Sequence, residues 1–190
     1  MVQPAVLVGA AVGAAIAMRH ALRHPGSVAG IVGFSPVTAC AAERRASVMA
    51  HADRIEREGL RALEAASIPA ILPEPLRHDM AAHAAARARW LANDPESFAG
   101  IYRMFAQMDM EPDYPCIDVP ALMIGATHDG LRPPEAVRAV AAAMPRATYR
   151  EVPTGHIAAV QTPDLVLAQV ADFLASIGPG IAPGTRDAER

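Results

Sequence analysis

The sequence predicts an α/β chain: a mostly parallel sheet with helices on both faces and a helical insertion in its middle. Three observations predict it. Apolar runs alternate with helical stretches toward both ends. The first of them, Ala5–Val8, is continuous rather than alternating, which suits a parallel sheet covered on both faces. Between about Ala41 and Met110 no strand pattern appears.

Ala5–Val8 reads as a first buried strand. Gly13–His24 reads as a helix, which Pro25-Gly26 stops. Val28–Phe34 is a second apolar strand, ended by Ser35-Pro36. Strand, helix and strand in this compass make a βαβ unit with a right-handed crossover. Ala42–Ala66 is charged and alanine-rich at helical spacing, with Ile55, Leu60 and Leu63 as core candidates. Pro69, Pro73 and Pro75 break the chain. Leu76–Leu91 and Pro95–Met108 read as further helices, the second capped by Asp94 with Pro95 at its first position. The alternation then returns. Ala121–Gly125 is a third strand, Pro134–Met144 a helix, Thr148–Val152 a fourth strand and Asp164–Ser176 a closing helix. Beyond Gly178 the Pro/Gly-rich, then charged, composition predicts a disordered tail. The expected division is a core at 1–40 and 111–177, an insertion at 41–110 and a tail at 178–190.

At 190 residues a single domain is expected, and 52% apolar residues are enough to build its core. The net charge of −3 and pI near 6.1 give no field that would favour nucleic acid or an anionic membrane. Val2–Met18 is interrupted by Pro4, Gly9 and Gly13, whereas a membrane span needs about 20 strongly apolar residues. No basic segment precedes this stretch, so a secretory signal is not expected. Cys40 and Cys116 match no zinc spacing and no disulfide framework, which points to a reducing cytoplasm. His20 and His24 lie four apart without a third ligand, so no metal is expected, and no motif implies a cofactor.

Three loops follow strand ends, where open parallel sheets bind ligands. Gly9-Ala10-Ala11-Val12-Gly13 joins the first strand to the first helix. This is the strand–turn–helix of a G-x-S-x-G nucleophile elbow, with Ala11 in the serine position. His128-Asp129-Gly130 follows the third strand and Thr154-Gly155-His156 the fourth. Asp-Gly is also a plain turn signal, and a loop histidine is common; their weight comes from the order bend, acid, histidine. Ser35 ends a strand too, but reads as a routine terminator rather than a substitute nucleophile. Trp90, Phe98, Tyr102 and Phe105 at helical spacing read first as core and second as pocket lining. Arg89, Arg103 and Arg132 read as solvated arginines rather than anchors for a ligand carboxylate.

In these stretches the chain resembles the α/β-hydrolases, most like the branch of lactonases and esterases that includes 3-oxoadipate enol-lactonase. The matching segments are VLVGAAVGAAIAMRHALRHPGSVAGIV, VPALMIGATHDGLRPPEAVRAVAAAMP and VPTGHIAAVQTPDLVLAQVADFL. Asp94–Asp109 is also similar to the cap of the enol-lactonases, so the resemblance makes the insertion a cap. It implies a general base at His156, its orienting acid at Asp129 and an oxyanion donor in the Val12 N–H. Ala11 then stands at the nucleophile position with no nucleophile. The resemblance also implies earlier strands and a second oxyanion loop, for which this sequence shows no counterpart. The first strand is then left with an open edge, which predicts a homodimer or strand-edge pairing. Three functions stay open: impaired hydrolysis of a small ester or enol-lactone, cofactor-independent His–Asp chemistry of an oxygenase or lyase kind, and non-catalytic binding of a small carbonyl ligand or a partner.

Overall fold

Four parallel strands form one sheet in the order β1-β2-β3-β4, in a computed structural model that describes residues 3–178. The strands are β1 (Ala5–Ala10), β2 (Val28–Phe34), β3 (Ala121–Ala126) and β4 (Ala147–Val152). All four runs expected as strands therefore lie side by side, and three of them are a residue or two longer than expected. The tail expected at 178–190 falls almost wholly outside the described residues.

Side chains alternate across the sheet, and each set has its own helices. Ile31 and Met123 face α1 (Val12–Arg23) and α6 (Pro134–Ala143), in a core with Met18, Val137 and Met144. Val32, Phe34, Leu122 and Ile124 face the other way, toward Phe173 of α8 (Pro163–Ser176). The crossover helices α1 and α6 share a face because successive same-sense crossovers must; the closing α8 covers the other. Gly30 makes this possible, since a Cβ there would stand 2.9 Å from the Phe173 ring. Among the described residues β1 pairs only with β2, which leaves its other edge open, and Val8 on it is 51% exposed.

Between β2 and β3 the chain is helical: α2 (Arg45–Glu58), α3 (Glu64–Ile71), α4 (Met80–Leu91) and α5 (Pro95–Ala106). Ile55, Leu60 and Leu63 are buried together with Ala52 and Ala99, as expected of them. Boundaries differ from expectation where local chemistry decides them. Gly59, at φ 73°, ends α2 and divides the single stretch expected at 42–66. Asp79 starts α4 four residues late, at Met80, because its carboxylate accepts the Ala81 and Ala82 N–H groups at 2.9 Å. Asp94 caps α5 as expected, accepting the Ser97 N–H at 2.8 Å. Pro69 lies inside α3 instead of ending it. A short α7 (Ala158–Gln161) after the histidine loop was not anticipated. No described helix is long and apolar enough to cross a membrane.

Candidate active site

The bend after β1 is strained at Ala11. This residue adopts φ 49° and ψ −117°, a conformation that costs a residue with a Cβ about 1–3 kcal/mol. Its neighbours hold it there: the Ala11 N–H donates to Phe34 O at 2.9 Å, and Ala11 O accepts from Val37 N at 3.1 Å. Val12 is the first residue of α1, so its N–H has no intrahelical acceptor, and it lies at the positive end of the helix dipole. The strain gives an expected result. Ala11→Gly should stabilise the fold by about 1 kcal/mol in a urea titration, the relieved strain outweighing the extra freedom of glycine in the unfolded chain. A loss of stability would mean the bend is relaxed.

Asp129 is organised by its own turn. One carboxylate oxygen, Oδ1, accepts the N–H groups of Leu131 at 2.8 Å and Arg132 at 2.9 Å. The other, Oδ2, lies 2.9 Å from Nδ1 of His156. The turn role and the partner role that the sequence left as alternatives are thus both filled, one by each oxygen. The Asp129 side chain is wholly buried, while that of His156 keeps 14% of its exposure. Burial pushes the Asp129 carboxyl up. Hydrogen bonds from His156, the Ser35 hydroxyl and the Leu131 N–H, with the charge of His156, outweigh this and hold it below its ordinary value. An ionised Asp129 accepts from Nδ1–H, and that tautomer leaves Nε2 of His156 as a free acceptor.

The histidine loop is anchored at its base. Thr154 is fully buried, and its hydroxyl meets that of Thr162 at 2.6 Å. A Cβ at Gly155 would come within 2.6 Å of the Gln161 side-chain amide, which would have to shift to admit it.

Ala11, Val12 and His156 line one cavity of about 530 Å³ between the sheet and the inserted helices. Across from them stand Phe98, Tyr102 and Phe105 of α5, with His51 of α2. These aromatics are both partly buried in helix packing and part of the cavity wall; Trp90 packs only among the helices. Burial, with Arg54 nearby, pushes the His51 imidazole below its ordinary value.

The structure corrects three expectations about single residues. Ser35 is no routine terminator: it has φ 44°, is 1% exposed, and places its hydroxyl beside Asp129. Its burial leaves it unable to reach a ligand. Arg103 is not merely solvated but pairs with Asp53 at 2.8 Å and Glu56 at 2.5 Å. Arg132 lines the cavity, while Arg89 is exposed as expected. Sequence reading missed Ser35 and Arg132 as site residues; the one available signal was that each lies within a few residues of a strand-end loop. Among the described residues no group of three His, Cys, Asp or Glu side chains could hold a metal.

A sheet with a strained bend after its first strand, an acid after its third and a histidine paired with that acid after its fourth defines the α/β-hydrolase class. The family model for serine aminopeptidases of type S33 matches residues 2–155, and the chain belongs to that family. Its fold is similar to a thermophilic esterase from Thermogutta terrifontis (TM-score 0.83, 22% identity, 93% of this chain and 66% of that one). It is also similar to the enol-lactonase from Burkholderia xenovorans LB400 (0.81, 26%, 92% and 66%) and to MenH from S. aureus (0.80, 19%, 92% and 69%). The chain therefore spans just under two thirds of the length of the esterase and the enol-lactonase. No curated protein sequence matches it.

Proposed function

We propose that this chain derives from hydrolases of small esters or enol-lactones and binds a small carbonyl compound beneath a helical cap at about 41–110. We further propose that it turns over esters at close to the background rate. The observation that carries this reading is a single cavity lined by both the strained Ala11 and His156, whose imidazole is held from behind by the buried Asp129. In the reading, His156 is the base and Asp129 orients it and stabilises its cation. The Val12 N–H meets the developing oxyanion. Ala11 stands where the attacking oxygen belongs, and a methyl group has no electron pair to give. The family match and the likeness to an enol-lactonase at 26% identity support the substrate class.

The unaltered chain, assayed on p-nitrophenyl butyrate, should show no burst and no inhibition by a serine-directed fluorophosphonate. Turnover of several per second that the reagent abolishes would overturn the reading. The intact acid–histidine pair favours one second reading, in which His156 takes a proton from an acidic carbon without any serine. Loss of such activity in His156→Ala, with no response to Ala11→Ser, would select it. A cytoplasmic setting agrees with Cys40 and Cys116 being unpaired thiols. The open β1 edge is the surface we assign to homodimer or strand pairing.

A further inference from the structure

The cavity over Ala11 is mainly apolar but contains a positive charge that the hydrolytic chemistry does not use. Arg132 is mostly covered and lines the cavity, and Arg44 lines it from an exposed position. Among the described residues neither makes an ion pair. The nearby carboxylate of Asp129 does not supply one. Its oxygens are already held by two amides and by His156.

The position of Arg132 is fixed at both ends. Its N–H is bound to Asp129, and its guanidinium lies over the Phe105 ring, 4.7 Å from the centroid. Stacking of this kind occupies the flat face of the guanidinium and leaves its edge N–H groups to bind in the plane. Burial and the neighbouring Arg44 push this guanidinium below its ordinary value, so the charge is held here against a cost that an anion would remove.

We propose that Arg132, assisted by Arg44, binds a ligand carboxylate, so that the cavity takes small carbonyl compounds bearing a free carboxylate. The parallel N–H pair at a guanidinium edge matches the two oxygens of a carboxylate. The remaining wall, including Val12, Val37, Val48 and Ile101, suits the hydrocarbon between that carboxylate and the carbonyl. As a statement about substrates, it rests on the hydrolase reading above. As a statement about binding, it does not.

Calorimetric titration of the full chain with 4-phenylbutyrate, methyl 4-phenylbutyrate and phenethyl phosphate tests it. The carboxylate should bind best. Arg132→Gln should weaken it by about tenfold to a hundredfold, the worth of a charge-assisted hydrogen bond, and leave the methyl ester unchanged. Arg132→Lys, which keeps the charge and the fold, should fall between, and Arg89→Gln should change nothing. Equal binding of acid and ester, tighter binding of the phosphate, or equal loss for acid and ester in Arg132→Gln would overturn the proposal. An Ala11→Ser chain separates the two readings. If it hydrolyses neutral and carboxylate-bearing esters alike, the anion site falls and the hydrolase reading stands. If it hydrolyses neither while Arg132→Gln still removes carboxylate binding, the hydrolase reading falls and the anion site stands.

Discussion

Ala11→Ser should raise the turnover of p-nitrophenyl butyrate by a factor of about 10³ to 10⁴ over the unaltered chain. The size follows from two opposing terms. Removing serine from a complete triad costs about 10⁶ in turnover. Restoring it regains that factor only where the rest of the machinery is in place. Here His156 is already oriented by Asp129 at 2.9 Å, and residue 11 already sits in the strained bend that projects a side chain into the cavity. In the proposed reading the Val12 N–H is the one donor assigned to the oxyanion among the described residues, and a single donor withholds about 10² to 10³. A gain below tenfold with the fold intact would mean that residue 11 and His156 are not aligned for transfer.

Gly9→Ala should be the most damaging single methyl in this part of the molecule. A Cβ at Gly9 would lie 2.4 Å from the Gly13 carbonyl carbon, 2.5 Å from its oxygen and 2.6 Å from Ala14 N. All three are backbone atoms, so no rotamer change relieves the clash. The first turn of α1 must move off β1, and with it the bend at Ala11 and the Val12 amide. Overpacking of this kind costs about 3 kcal/mol or more, which chemical denaturation would read directly. Gly13 is the contrast. Nothing lies within 4 Å of a Cβ there, so Gly13→Ala should be neutral or stabilise by up to about 1 kcal/mol, since alanine is the better helix former. Equal effects at the two positions would mean that helix and strand are not packed this closely. The two glycines of the motif thus do different jobs, which their symmetrical spacing hides.

Much of the sheet was readable because β1, β2 and β3 are continuous apolar runs, whereas β4, with Thr148, Arg150 and Glu151, is the half-exposed strand at the sheet's other edge. Ala121–Ala126 is buried throughout, and nothing in its composition competes with a central strand. The inserted helices were readable as helices but not in their limits. Gly59 and Asp79 set those limits through a positive φ and two side-chain hydrogen bonds, and neither shows in hydrophobic periodicity. The pair Asp129–His156 could be anticipated from its order after successive strands. The companions of that pair could not. Ser35 meets Asp129 only because β2 and β3 are adjacent, and the Phe105 ring meets Arg132 only because α5 folds back over the sheet. Arg132 shows how tertiary placement overrides a prior. An arginine three residues past a turn aspartate is ordinarily solvated, and here the inserted helices cover it.

The claim on which the rest depends is that His156, held by Asp129, is directed at the residue in the bend after β1. A fluorophosphonate that phosphonylates activated serines tests this in the Ala11→Ser chain, with the labelled peptide mapped by mass spectrometry. Stoichiometric labelling at residue 11, lost when His156→Ala is added and never seen in the unaltered chain, is the expected result. A folded Ala11→Ser chain that stays unlabelled, or labels equally well without His156, would contradict it.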